Sequence, residues 1–432
     1  MILIYTTNIT PRISFITKFL FSEILKIPCR ITSCIDDFRV YNGPKLNYSN
    51  EKYEGLSIKP SSLLFETRIS SFVPKVGLFQ GMPVLFPISD KLSLPFDILA
   101  AAFYMITRYE EYLPQRMDRH GRVLATESIA YKNGFLNKPV VDQWAIWLGK
   151  IVKENHPEFH FPPREYHFLP TVDVDIAYAY RHRGFLRTMG AASKAVFKGN
   201  WRDSIHRFQT LFLHQPDPYD TFELFRLWFT EFDLNPKYFF LVAKYGRYDK
   251  NIAPTHPAMR DLIVRTHNKY EVGVHPSYKS NTNQEVLLSE INKLREILND
   301  DVTISRQHFL KLQFPETNQQ LIANGIKEDY SMGYASLPGF RAGTCTPFPF
   351  YDLTSEKETS LRIFPFQVMD GTLNQYMKLS PDEALEECKK LIDEVKKVNG
   401  TFISLWHNES LSEMREWKQW RNVYYKLLEA GC

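Results

Sequence analysis

An α/β protein of two units is the reading the sequence supports: a smaller α/β domain over residues 1–160, then a larger unit of repeated βα pairs over residues 161–432. Three observations predict it. A length of 432 residues, set against roughly 150 per domain, calls for more than one packed core. In the second half, apolar strand-like runs that end in polar residues alternate with segments of helical period. Repeated βα pairs in turn imply a parallel sheet, open or closed into a barrel.

Composition narrows the function classes. Hydrophobic residues at 44% and charged residues at 24% exclude a disordered or collagen-like chain. A net charge of +4, without a dense Lys/Arg run, argues against nucleic acid as a partner. Aromatic residues at 14% suit sugar stacking and equally suit ring-rich cores. Five cysteines, Cys29, Cys34, Cys345, Cys388 and Cys432, are odd in number and widely spaced, so a reducing, cytoplasmic compartment is expected rather than a disulfide framework. The N-terminal run MILIYTTNITPRISFITKFLF has no basic start and no small-residue cleavage site, so a standard secretory signal is not expected. Apolar runs of about 18 residues are absent, which excludes a membrane-spanning helix.

Ile2 to Tyr5 predict a buried strand, and Thr10 with Pro11 predicts the start of a helix carrying Ile13, Ile16, Leu20 and Ile24. Short strand-like runs fill residues 28–95. A helix is expected from Asp97 to Tyr112, and another after Asp142 with Trp144, Trp147, Leu148 and Ile151 on one side. The stretch Asp118, Arg119, His120, Gly121 predicts a turn, with His120 a loop residue rather than a ligand. The proline-bearing segment from His156 to Arg164 is the boundary candidate. Beyond it, strands are expected at Tyr166–Asp175, Tyr238–Ala243, Tyr270–His275, Val302–His308 and Thr401–His407. Helices are expected at Glu285–Leu298 and Glu383–Val398, the latter opened by a capping box at Ser380, Pro381, Asp382, Glu383 and stopped at Gly400.

In parallel α/β folds the active groups sit at the carboxyl ends of the strands, where loops vary above a rigid core. The first such end reads Thr171, Val172, Asp173, Val174, Asp175, and residues two apart on a strand share a face. Two carboxylates so close call for a cation or a raised pKa, although one could simply cap the next helix while the other is solvated. Further strands end in His275, in Arg306 with His308, and in His407. An Asp with two His is a common ligand set for Zn²⁺ or a similar divalent ion. Asp175, His275 and His308 are therefore assigned to one divalent metal ion, zinc first. Asp173 as base, Arg306 as its electrostatic partner and His407 as acid then complete a site for metal-assisted hydrolysis.

With these residues in order, residues 165–410 resemble the polysaccharide deacetylases, the NodB-like metal-dependent carbohydrate esterases. Thr171–Asp175 is similar to the first motif, in a spaced D-x-D form. His275, Pro276, Ser277, Tyr278 resembles the second, Arg306 the third-motif Arg, Gly325 to Ser331 the fourth motif, and Leu405, Trp406, His407 the fifth. The resemblance implies a distorted (β/α) barrel, catalytic roles for Asp173, Arg306 and His407, and substrate contacts from Asp329 and Trp406. Arg341 in Gly339–Phe348 competes with Arg306 for the third-motif role. Arg341 and Thr344 would then line the substrate groove. The sequence departs from the family at Lys279, four after His275, where a second histidine ligand is usual; His308 is the substitute. The implied activity is removal of an acetyl group, N-acetyl ahead of O-acetyl, from a sugar of a surface polysaccharide or its precursor. Two alternatives stay open: a carbohydrate-binding protein that has lost catalysis, suggested by Lys279, and a metal-dependent amidohydrolase acting on a small non-glycan substrate. Cys388 is expected in the core, Cys345 without an activated thiolate, and the basic scatter Arg181, His182, Arg183, Arg187 on a solvated surface.

Overall fold

The structure is a computed structural model that describes residues 1–90, 93–184, 190, 201–213 and 215–432. The opening strand forms as β1 (Ile2–Thr6), buried along its whole length. It lies parallel between β2 (Cys29–Thr32) and β3 (Lys45–Tyr48), with β4 (Leu56–Ile58) outside β3. The Thr10 hydroxyl accepts the Ile13 N–H at 3.1 Å and so caps the helix Pro11–Thr17. A hairpin of β5 (Val76–Phe79) and β6 (Met82–Leu85) follows.

The helix expected from Asp97 to Tyr112 is shorter. Asp97 caps Ile98–Ile106, every residue of which is buried, and then Arg108 adopts φ 53° and leads into a short 3₁₀ turn, Tyr109–Tyr112. The break lets the buried Arg108 guanidinium reach Glu110 and Glu111 together, at 2.6 and 2.9 Å. The helix expected after Asp142 forms as Val140–Asn155.

Among the described residues nine strands make the second sheet: β7 (His167–Val174), β8 (Lys237–Phe240), β9 (Glu271–Val274), β10 (Ile304–Ser305), β11 (Glu328–Asp329), β12 (Phe348–Asp352), β13 (Lys357–Ile363), β14 (Val368–Met369) and β15 (Thr401–His407). Their order is β12-β13-β11-β10-β9-β8-β7-β15-β14, parallel except for the β12–β13 hairpin. The expected barrel is corrected here: the ladder ends at β12 and β14, which do not pair, so no closed barrel forms among the described residues. The antiparallel hairpin occupies one edge, where a further βα unit would have been needed for closure. The helix Pro381–Lys397 carries the predicted capping box of Ser380 and Glu383. No helix among the described residues is long and apolar enough to cross a membrane. Arg187 lies outside the described residues.

One continuous hydrophobic cluster runs from Ile2 to Leu428, so the two sheets share a core. Polar ties reinforce it. The buried Arg12 guanidinium pairs with Glu356 and donates to the Leu63 carbonyl at 2.8 Å. Asp142 accepts from the Thr344 hydroxyl at 2.7 Å and the Cys345 N–H at 3.0 Å. Glu111 accepts from Arg108 and from Arg341, both buried, and although burial alone would raise its pKa, Arg341 and Arg108 hold the carboxyl down at about 2.

Glu111→Leu would strand the buried Arg341 guanidinium without a carboxylate. Loss of one member of such a buried pair is expected to cost about 3–5 kcal/mol. Chemical denaturation reads it directly: a loss below about 1 kcal/mol would mean that this tie between the Tyr109–Tyr112 turn and the loop carrying Arg341 is unimportant.

Candidate functional site

The carboxyl ends of β7, β9, β10 and β15 face a cleft of about 210 Å³, walled by Asp173, Asp175, His275, His308 and His407. Parallel registry brings them there. Asp173 on β7 stands opposite His407 on β15, and the Ser305–Val274 pairing of β10 with β9 sets Arg306 and His308 beside His275. Period-2 alternation puts Ile403 and Leu405 of β15, with Leu310, Phe366 and Met369, into a small apolar layer close to the cleft.

Each imidazole is oriented by what its Nδ1 meets. His275 Nδ1 lies 2.6 Å from the Arg306 carbonyl oxygen, which can only accept, so Nδ1 carries the proton and Nε2 is left with its lone pair. That Nε2 stands 3.0 Å from Asp175 Oδ1, a buried oxygen with no hydrogen-bond donor. His308 repeats the arrangement. Its Nδ1 meets Asp249 Oδ1 at 2.9 Å and its Nε2 meets Asp175 Oδ2 at 3.2 Å. Acceptors facing acceptors at these distances require a proton or a cation between them. Against a burial penalty that works the other way, Asp175 and Asp249 lift His308 to about 9. Burial would likewise raise Asp175, yet His308 and His275 hold its carboxyl well below the usual range.

The ligand atoms of Asp175, His275 and His308 all lie within 4.8 Å of one another. This donor set fits a divalent ion with positions left open, and carboxylate and carbonyl partners behind the imidazoles are the usual way such ligands are aimed. The orphaned Asp175 oxygen is the observation that favours a cation.

Two charged pairs flank this group. Arg306, fully buried, donates to Asp173 Oδ1 at 3.0 Å, to the Thr171 hydroxyl at 2.6 Å and to the Tyr330 carbonyl at 2.9 Å, with its guanidinium 4.7 Å from the Phe239 ring centroid. His407 Nδ1 meets Asp370 Oδ1 at 2.8 Å, and the His407 N–H donates to the other oxygen of the same carboxylate at 2.8 Å. Burial alone would lower His407, but Asp370, with Asp175 and Asp173, raises it well above the ordinary histidine value, so it keeps its proton at neutral pH. Glu409 also lines the cleft, its carboxyl pushed up to about 7 by burial and by Asp175 and Asp370 against the pull of His407.

The six residues expected to carry chemistry therefore come together. Four expected substrate contacts do not. Asp329 is fully buried and bonded to Ser305 and Ser331. Thr344 is fully buried, its hydroxyl given to Asp142. Trp406 packs between Trp420 and Tyr424, at 6.2 and 4.8 Å between centroids, on the face of β15 opposite His407. Arg341 pairs with Glu111 and borders an adjoining recess of about 240 Å³ instead of the cleft. Asp249 and Asp370 were missed. Asp370 directly follows the two-residue β14, and Asp249 sits in a loop nine residues beyond β8. Cys388 and Cys345 are buried, and burial pushes both thiols up, so neither is an activated thiolate.

A family model described as a family of unknown function, DUF7033, matches residues 2–157. No curated protein matches. Similar solved structures include a Mycobacterium smegmatis protein assigned as a polysaccharide deacetylase, at 11% identity and a TM-score of 0.39, covering 62% of this chain and 86% of that one. PuuE allantoinase is similar at 12% identity and a TM-score of 0.37, over 62% and 87% of the two chains. A CE4 family pseudoenzyme from Bacillus anthracis is similar at 10% identity and a TM-score of 0.32, over 62% and 63%.

Asp370→Asn is expected to lower the pKa of His407, because the largest group holding its proton is neutralised. An NMR titration of the His407 ring checks this. Wild-type His407 should stay protonated through pH 7 and the variant should titrate lower; an unchanged midpoint would show that Asp370 is not the source of the shift.

Proposed function

We propose that this chain is a cation-dependent hydrolase that removes an acetyl group from a sugar of a surface polysaccharide or its precursor, N-acetyl ahead of O-acetyl. The observation that carries the reading is the convergence of Asp175, His275 and His308 around one point, with Asp173–Arg306 and His407–Asp370 beside it. The order of these residues along the chain, and their spacing at the strand ends, supports it. Asp175, His275 and His308 would hold a divalent ion, zinc first, whose chemistry would be to lower the pKa of water from about 15.7 to near 7.

The chain's own residues divide the remaining work. Asp173, oriented by Arg306, whose guanidinium also bonds Thr171, accepts the proton of the attacking water. His407 carries the proton that the departing amine or hydroxyl needs, and Asp370 keeps it there. A positioned acid or base of this kind contributes about 10²–10⁴-fold. Tyr248, Phe309, Tyr376 and Trp417 line the cleft and offer ring faces to the apolar faces of a sugar. We propose in the same reading that residues 161–432 form the catalytic unit and residues 1–160 an accompanying one.

The test combines metal analysis with acetate release from N-acetylated oligosaccharides. Wild-type protein should hold about one divalent ion per chain and release acetate. Asp175→Ala and His308→Ala should lose both properties, whereas Asp173→Asn should keep the ion and lose about 10²–10⁴-fold in kcat. Full metal occupancy in His308→Ala overturns the ligand assignment. An ion-loaded wild type that releases no acetate overturns the deacetylase reading, and cleavage of a small cyclic amide by that protein would establish the amidohydrolase alternative.

A further inference from the structure

The turn at Asp118–Arg122 belongs to the N-terminal third of the chain, yet it is packed against the residue that follows His308. It is a self-built loop. Asp118 Oδ1 accepts the backbone N–H groups of His120 at 2.8 Å and Arg122 at 3.1 Å, Gly121 adopts φ 75°, and Met117 bridges to Val123. Two side chains leave it toward the cleft. Arg122 is held by Asp118 through its Nε at 2.7 Å; its Nη1 donates to the Phe309 carbonyl at 2.8 Å and its Nη2 to the Tyr376 hydroxyl at 2.9 Å. His120 is buried, with its ring 4.9 Å from that of Phe309. Its Nε2 accepts from Arg119 at 3.1 Å, so its Nδ1 carries the proton and faces the Tyr278 hydroxyl at 3.3 Å.

The segment gripped in this way is an unusual one. Phe309 and Leu310 adopt φ 61° and 52°, two consecutive left-handed residues without a glycine, immediately after His308. Side chains disfavour that conformation, and it persists only where surrounding contacts over-determine it. The Leu310 N–H donates to the Gln307 carbonyl at 2.9 Å and closes the turn locally. The Phe309 carbonyl, pointing the other way, is met by Arg122. The direction of the His308 imidazole toward Asp175 follows from that backbone.

We infer that the Asp118–Arg122 turn is a positioning element of the cation site, with Arg122 holding the His308–Phe309–Leu310 backbone in the one conformation that aims His308 Nε2 at Asp175. This rests on the proposed function. Arg122 lines the same cleft, but its bonds go to Asp118, the Phe309 carbonyl and the Tyr376 hydroxyl and not to a proposed ligand; it acts through Phe309. Residues 2–157, matched by a family of unknown function, thereby gain a role: they complete a site whose ligands all lie elsewhere in the chain.

Cobalt(II), added to the full-length protein, tests the inference, because its visible absorption reports ligand number and geometry as well as occupancy. Arg122→Met should bind cobalt about 10–100-fold more weakly, the usual loss when a partner behind a ligand is removed, and its absorption bands should differ from the wild type. Arg122→Lys, which keeps the cation but not the fork, should recover part of the affinity. Arg116→Met, which removes an exposed side chain, should match the wild type. Circular dichroism and melting show whether each variant is folded. If Arg122→Met does not fold, Arg122→Lys carries the test alone, with weaker binding and shifted bands expected. Wild-type affinity and spectrum in the folded Arg122 variant overturn this inference and leave the proposed function standing. A wild-type protein that binds no cobalt overturns both.

Discussion

Two hydrogen-bond acceptors facing each other at close range are the constraint around which the second half of the chain is arranged. His275 Nε2 and Asp175 Oδ1 meet at 3.0 Å because the Arg306 carbonyl claims the His275 Nδ1 proton; His308 meets the same carboxylate because Asp249 claims its Nδ1. Arg306 thus has two tasks on one residue. Its backbone sets the tautomer of His275, and its guanidinium, 3.0 Å from Asp173, sets the neighbouring carboxylate. Such a residue must not move, and it is fully buried beside Phe239, Tyr330 and Phe366. Burying a guanidinium is costly unless its donors are used. Here Nε and Nη1 are bonded, and the ring faces offset part of the remaining penalty.

Much of this arrangement is legible in the sequence, for a physical reason. A strand of period two that ends in Asp173-x-Asp175, in Arg306-x-His308 or in His407 declares which face its polar terminus shares with its apolar residues. The parallel ladder brings those faces to one mouth. The same rule excludes Trp406, since a residue adjacent to His407 must point to the other side of β15, and there it packs with Trp420 and Tyr424. The motif resemblance implied a substrate contact for it without regard to that alternation. Asp370 was hidden because Val368–Met369 is too short to declare a strand. Asp249 was hidden because a loop position carries no periodicity. Arg341 and Thr344 show a different limit: polar residues in a glycine-rich stretch look available, and only the fold reveals that Glu111 and Asp142 have already taken them.

The open sheet has the same kind of explanation. Each βα pair is visible as an apolar run followed by a helical one, but closure depends on whether the two edge strands meet. That is a property of the last strands added and not of any one unit. The β12–β13 hairpin is antiparallel, and its own partner strand takes the edge that closure would need. Its residues also reach the first helix of the N-terminal region: Tyr351 packs on Phe15 of Pro11–Thr17 at 4.8 Å between centroids. The hairpin gives the sheet an end and the N-terminal region a place to sit.

A site built at strand ends inherits rigidity only as far as the strands extend, and β10 is two residues long. Beyond Ser305 the chain must carry Arg306, Gln307 and His308 to their places past the end of the strand. It then turns through two left-handed residues, each costing about 1–3 kcal/mol. Local sequence cannot supply that energy, because neither Phe309 nor Leu310 favours the conformation. It has to come from contacts distant in the chain. The Arg306 N–H bonds Val274 and the His308 N–H bonds Pro276, which ties the segment to β9 and the loop after it. Arg122 and His120 tie its far side to the N-terminal region. The short strand, the strained turn and the distant clamp are therefore one structural fact: His308 is placed by residues nearly two hundred positions away in the chain, and this geometry makes the two parts of the protein interdependent.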